Sequence, residues 1–290
     1  MERRLRVVYV FRGYGDYVIE ALSALSRHVD AVALVSAEDW WLVPFLDKRV
    51  SVVKVAPPRV RSARNVGYVA RLGRIINAIA PDIVHIQSGL LWELLLMGRV
   101  GSARWVTTLH DVVRHPTGGL LWQAPQWALD YAARRSSGVL VHAECLVSTV
   151  RQRFRGRGRQ PLVAKVPHGP IWRYGKADGR VVPRGRTVLC FGQMDRWKGI
   201  EILLAAAPLL AEKVPGVRIV IAGGTRARSY YEGLASGMRG VEIRARRQDD
   251  AEVRALFEEA EVLVLPYVEA SQSGVLQVGV AFGVPAVVTD

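Results

Sequence analysis

Short apolar runs alternate with helical patterns along almost the whole chain. Leu5 to Phe11 (LRVVYVF) reads as a buried strand ending in the turn Arg12-Gly13-Tyr14-Gly15. Asp16 can cap the helix that follows, whose apolar positions Val18, Leu22 and Leu25 keep helical spacing. Ala31 to Val35 and Val50 to Val55 are the next strands, with the aromatic segment around Trp40, Trp41, Pro44 and Phe45 as a short helix between them. Val66, Val69, Leu72, Ile76 and Ile79 mark a helix that stops before Pro81. Strands are then expected at Asp82–Ile86, Trp105–Leu109, Gly138–Val141 and Pro161–Val166. Helices are expected at Leu90–Met97, about Leu120–Arg135 and about Glu144–Phe154.

The pattern restarts at Thr187–Phe191. A polar loop to Lys198 leads to a helix with Ile200, Leu203, Leu204, Ala207 and Leu210 on one face. Arg218–Ala222 is a strand ending in Gly223-Gly224, and Asp249 with Glu252 makes a capping-box start for the helix carrying Val253, Leu256 and Phe257. The last quarter runs strand, polar loop, short helix, strand: Val262–Leu265, then Glu269 to Gly274, then Val275 to about Phe282, then Pro285–Val288. Repeated strand–helix units predict an α/β protein with parallel sheets covered on both faces. We expect two Rossmann-like domains, residues 1–169 and 187–290, joined by a Gly/Pro-rich linker over 170–186, with a cleft between them.

Composition adds a soluble, well-cored chain: 290 residues, half of them apolar. Cys145 and Cys190 lack a CxxC partner and read as buried thiols of a reducing compartment. Met1-Glu2-Arg3-Arg4 leads straight into a strand, with no signal peptide expected. The uncharged run Ala270 to Thr289 is broken by polar residues, glycines and Pro285, which argues against a membrane span. The net charge of +14 is uneven, with +12 in residues 1–170 and +2 in the rest. A basic first half suits an anionic partner: a phosphorylated substrate, a membrane surface or nucleic acid. Arg151, Arg153, Arg155, Arg157 and Arg159 alternate through RQRFRGRGR, but only Phe154 interleaves, which disfavours nucleic acid.

Ligands of open α/β sheets bind beyond the carboxyl ends of strands, where loops turn into helices whose free N–H groups hold anions. The loop from Glu269 to Val275 reads as half of a nucleotide-phosphate site. Lys198, before a helix start, can neutralise a diphosphate, and Gly13 and Gly15 allow close backbone approach to a ligand. His110-Asp111 ends a strand and is a candidate for a substrate hydroxyl, or a histidine satisfied by a backbone carbonyl. HDVVRH, with His115, lacks the HExxH spacing, so no metal site is expected.

Taken together, Thr108-Leu109-His110-Asp111, Val166-Pro167-His168-Gly169, Phe191-Gly192-Gln193 through Lys198-Gly199, Ile221-Ala222-Gly223-Gly224 and Leu265-Pro266 through Thr289-Asp290 resemble the GT-B glycosyltransferases of the family 4 type. The resemblance implies a retaining transfer of a sugar from a nucleoside diphosphate sugar, with no cofactor and no required metal. It implies His110 at the donor sugar, Lys198 at the diphosphate and Glu269 at the sugar hydroxyls, with Gly223, Ser273, Gly274 and Val275 lining the donor site. Gln193 stands where the family usually has Arg, with Arg196 nearby to take over its charge, and Gln277 stands at the place of a second glutamate. The acceptor, a glycan, a lipid-linked species or a small molecule, would fall to the basic first domain. The family pattern continues past the last strand seen here, so the second domain is expected to be incomplete. The altered Gln193 and Gln277 leave open a non-catalytic partner subunit that binds a nucleotide sugar or lipid. The expected location is cytoplasmic, with the membrane's inner face as a peripheral site.

Overall fold

A computed structural model describes residues 3–59, 62–87, 94–112, 126–156, 160–175, 185–270 and 272–289. The chain divides into two compact units, Met1–Gly169 and Pro170–Asp290.

The first unit is a seven-stranded sheet of β1 (Arg6–Val10), β2 (Asp30–Ser36), β3 (Ser51–Val55), β4 (Ile83–Ile86), β5 (Arg104–Thr108), β6 (Gly138–Val141) and β7 (Leu162–Lys165). Their order is β3-β2-β1-β4-β5-β6-β7, and every neighbouring pair is parallel. Continuous apolar runs are what a strand covered on both faces requires, and β1 shows it. Val8 and Val10 join one core with Leu72 and Ile76, whereas Val7, Tyr9 and Phe11 join another with Leu22 and Leu42. Helix α1 (Gly15–Leu25) supplies Leu22, and α2 (Asn65–Ile79) buries Val69, Leu72 and Ile76 at helical spacing. A third core around Val139, Val141 and Phe154 sits under α3 (Gln126–Arg135) and α4 (Glu144–Phe154).

The second unit repeats the plan with β8 (Thr187–Phe191), β9 (Arg218–Ala222), β10 (Val241–Arg244), β11 (Val262–Leu265) and β12 (Ala286–Val288), ordered β10-β9-β8-β11-β12 and all parallel. Its helices are α5 (Ile200–Lys213), α6 (Arg228–Leu234), α7 (Asp250–Glu259) and α8 (Gly274–Ala281). Leu189 and Leu263 face one core with Phe257, and Val188 and Cys190 face the other with Leu203 and Tyr231. The capping box at Asp249 and Glu252 is present in both directions.

Several expectations need correction. Asp16 lies inside the first turn of α1, and the N-cap is Tyr14, in the left-handed region at φ 55°. Of the helix expected at Leu90–Met97, residues 90–93 lie outside the described residues, Leu94 is α-helical, and Leu95–Gly98 continue it as a 3-10 turn. The start of the helix at Leu120, His115 and the arginines at 157 and 159 also lie outside the described residues. Cys145 is exposed at the start of α4, and only Cys190 is buried. Residues 170–175, expected as linker, pack onto the second unit: Ile171 is in its core and donates its N–H to the Gln277 carbonyl at 3.2 Å. Helix α6 and strand β10 have no counterpart in the apolar pattern, because the edge strand Val-Glu-Ile-Arg carries charges that pair side by side, Arg244 with Glu242 at 2.6 Å. Among the described residues no helix is long and apolar enough to cross a membrane.

Candidate active site

In the second sheet the strand order reverses between β8 and β11, the switch point at which loops splay apart and leave room for a ligand. The loops that meet there are held by their own backbones. Gly192 N–H donates to Ala222 O at 3.0 Å, Met194 N–H to Gly224 O at 2.9 Å, and Val268 N–H to Trp197 O at 2.9 Å. Gly223 is required by contact alone, since a Cβ there would lie 1.8 Å from the Gly192 carbonyl oxygen.

Lys198 ends the 3-10 turn Arg196–Lys198 and is only 9% exposed. Its ammonium lies 3.7 Å from the Tyr267 ring centre and 3.9 Å from that of Trp197. Aromatic faces stabilise the charge, but burial wins and draws the Lys198 pKa down to about 8, with Cys190 and Asp195 opposing. Tyr267 also reaches Ser273, hydroxyl to hydroxyl at 3.1 Å. Ser273 is the N-cap of α8 and accepts from Leu276 N–H at 3.2 Å. One tyrosine thus ties the buried ammonium to the helix start, where Gly274 and Val275 present N–H groups that no intrahelical carbonyl can take.

The remaining candidates fall around this point. Val275 packs against Gly192, and a Cβ at Gly192 would meet its Cγ2 at 3.0 Å. Gln193 and Arg196 are exposed on the loop after β8, and Glu269 is exposed on the loop after β11. Gln277 is half-buried one turn into α8. Gln272 has a buried Oε1 with no hydrogen-bond partner among the described residues. Ser271 lies outside them. Sequence reading misses the roles of Trp197 and Tyr267, because it looks for charge and glycine and has no rule for aromatics that hold a cation.

The first unit builds a separate polar cluster at its own switch point, β1 against β4. Gly13 and Gly15 flank Tyr14, whose ring stacks on His110 at 3.8 Å and 10°. A Cβ on Gly15 would strike Trp41, at 2.5 Å. His110 is 3% exposed, and both its ring nitrogens are engaged, Nε2 with Gln87 Oε1 at 3.0 Å and Nδ1 with His142 Nε2 at 3.0 Å. Gln87 continues to His85 Nε2 at 3.1 Å, which lies 2.8 Å from Thr108 Oγ1. His142 Nδ1 donates to the Val166 carbonyl at 2.9 Å, and His168 Nδ1 to that of Gly169 at 3.1 Å. Tyr17 packs its ring on His110, His142 and His168 at 4.9–5.0 Å. Burial drives the pKa of His110 down to about 2, with His142, His168 and His85 adding to it, and that of His85 down to about 3.

His110 is therefore a buried, doubly bonded ring and not a free one. A signal for its partners is present in the sequence: polar residues stand just past successive strands, as Gln87, His110, His142 and His168. Among the described residues no three metal-ligating side chains converge on one point.

Comparison with known proteins agrees with this architecture. Residues 12–165 match the "Glycosyl transferase 4-like domain" model, and residues 185–290 match "Glycosyl transferases group 1". No curated protein matches the sequence. Among solved structures, Anabaena HepE in complex with UDP and glucose superposes with a TM-score of 0.69 at 16% identity, covering 97% of this chain and 80% of that one. Sucrose-phosphate synthase from Thermosynechococcus elongatus gives 0.68 at 17% identity, with 98% and 81% covered. A glycosyltransferase from Rickettsia africae gives 0.68 at 16% identity, with 99% and 79% covered. Two tandem Rossmann-like units with these matches identify the fold as GT-B, and the chain belongs to the glycosyl transferase 4-like family, as a glycosyltransferase.

Proposed function

We propose that this glycosyltransferase takes its sugar from a nucleoside diphosphate donor held where β8 and β11 part. The observation that carries the reading is the Lys198 ammonium, tied through Tyr267 to the N-terminus of α8. In the reaction the leaving diphosphate gains negative charge. A buried ammonium and preoriented helix amides stabilise that charge without reorganising, in surroundings where little water screens them. These groups supply what a metal would otherwise supply, which supports a metal-independent transfer; EDTA should leave turnover unchanged. The UDP and glucose in the HepE complex support the donor class. Retention at the anomeric carbon follows the family resemblance, and NMR of the first-formed product tests it. The basic first unit takes the acceptor, and His110 is assigned, by the family resemblance, to a hydroxyl of the donor sugar.

Glu269 is assigned to the sugar hydroxyls. Glu269→Gln should leave diphosphate affinity within about twofold and weaken the intact nucleotide sugar about tenfold, the scale of one charged hydrogen bond. Gln277→Ala, with its backbone carbonyl still bonded to Ile171, should cost less. Calorimetry with the diphosphate and the nucleotide sugar separates the two, and equal losses for both ligands in Glu269→Gln would remove it from the sugar.

We also propose a peripheral location on an anionic membrane surface, at the cytoplasmic face. Arg153 is committed elsewhere, as a two-pronged pair with Asp130 at 2.8 Å on each side. Arg151 and Arg155 are exposed and line a groove of about 790 Å³ with Ser148, Gln152 and Gln160. Binding to acidic liposomes should fall steeply with salt and vanish in Arg151→Ser/Arg155→Ser. Arg153→Ser should instead cost about 1.5–3 kcal/mol of stability, because half-buried Asp130 keeps the Gln126 amide but loses its charged partner. Equal binding to neutral liposomes would sink the membrane assignment.

A further inference from the structure

We propose that Gln87 and His142 are positioning residues that fix which nitrogen of His110 carries its proton, and that the NH2 of Gln87 faces His110. The Val166 carbonyl can only accept, so His142 carries its proton on Nδ1. Neutral His142 then has a bare Nε2, and the 3.0 Å contact with His110 Nδ1 needs a hydrogen, which His110 must supply. Neutral His110 is left with a bare Nε2 facing the Gln87 amide at 3.0 Å. An amide oxygen in that place would set two acceptors against each other. Oxygen and nitrogen of an amide are told apart by their bonds alone, and only the NH2 completes this one.

The far end of the hydrogen-bond chain agrees. With the amide oxygen toward His85, His85 donates from Nε2, and Thr108 Oγ1 at 2.8 Å shares that hydrogen. All the bonds from His85 through Gln87, His110 and His142 to Val166 O then point one way, and each polarises the next.

The orientation the structure shows, Oε1 toward His110 and NH2 toward His85, is also complete, but it needs one more proton. The oxygen would accept from His110 Nε2–H, and the His110–His142 pair would hold three N–H hydrogens and a positive charge. The groups facing the pair decide between the two. Tyr14 and Tyr17 cover it with neutral rings, and His168 and His85 would repel a charge. Among the described residues Asp111, which bears on His142, is the anion close enough to favour it, whereas Asp16 bears on His168. Burial of the pair then favours the neutral state. His110 consequently offers Nε2 as an acceptor: a substrate hydroxyl that displaces the Gln87 NH2 would donate to it. That consequence rests on the proposed substrate role of His110, while the tautomer does not.

Long-range proton–nitrogen correlation spectra of the 15N-labelled full chain test the assignment. The expected result at pH 7 is a neutral His110 with hydrogen on Nδ1, unchanged down to about pH 5. Gln87→Glu offers only acceptors when ionised, so the pair should take up a proton, with N–H signals on both His110 nitrogens at pH 7 and turnover reduced at least tenfold. Hydrogen on Nε2 of wild-type His110, an imidazolium at pH 7, or an unchanged His110 spectrum in Gln87→Glu would overturn the proposal. If Gln87→Glu does not fold, the wild-type spectrum alone decides. Donor affinity of Lys198→Ala, measured separately, tells failure of the donor site from failure of this tautomer.

Discussion

Lys198→Ala should weaken nucleoside diphosphate binding by about ten- to a hundredfold, because a charge-assisted hydrogen bond contributes roughly 1.5–3 kcal/mol. The ammonium already bears the cost of burial, as its pKa near 8 shows, and phosphate oxygens are the partners that offset it. The same shift gives a pH signature. The binding form is the protonated one, so affinity should hold below pH 8 and fall as pH rises through it, by up to about tenfold per unit. Lys198→Ala should bind weakly and without that slope. Calorimetry with UDP, GDP and ADP from pH 6.5 to 9 reads both effects. If Lys198→Ala binds all three as wild type does, the site between β8 and β11 is not the donor site and the proposed chemistry loses its basis.

Much of this is legible in the amino-acid sequence, and the reason is physical. Strands buried on both faces announce themselves as continuous apolar runs, so the pattern places Gly138–Val141, Thr187–Phe191, Arg218–Ala222 and Val262–Leu265 with their observed bounds. Loops at strand ends then bring Lys198, Gly223, Ser273 and Gly274 forward as candidates, since a parallel sheet confines ligands to that edge. The misses are of two kinds. Strand β10 has an edge to itself and half-buried residues, so its pattern never separates from a loop. Tyr267 and the pairing of His110 with its partners are the other kind: strand-end positions mark Gln87, His142 and His168 as polar, but the contacts of His142 with His110 or Tyr267 with Lys198 join residues distant in sequence, and no local pattern encodes these. His110 itself stands out as a strand-end residue, but its burial and its two occupied nitrogens are tertiary facts.

The largest stability effect should come from Gly199→Ala. Gly199 sits between Lys198 and α5 at φ 62°, ψ 28°, closing the 3-10 turn and opening the helix. A Cβ at this position would lie 1.8 Å from the carbonyl oxygen of Pro266 and 2.9 Å from its carbonyl carbon. The obstacle is backbone, so no rotamer change relieves it; the loop after β8 must part from the loop after β11. That separation would pull on the Val268–Trp197 bond and on the aromatic pair that holds Lys198. The left-handed backbone alone costs alanine about 1–2 kcal/mol, and the clash should bring the total to about 3–5 kcal/mol. A domain of this size should then melt roughly 10 °C lower or more, with diphosphate affinity reduced alongside. Gly237→Ala is the control, because Gly237 has φ 77° but a Cβ there would meet no atom within 4 Å. It should lose only the backbone part and keep full affinity. Equal melting temperatures for the two variants would mean that the two loops are not packed as described.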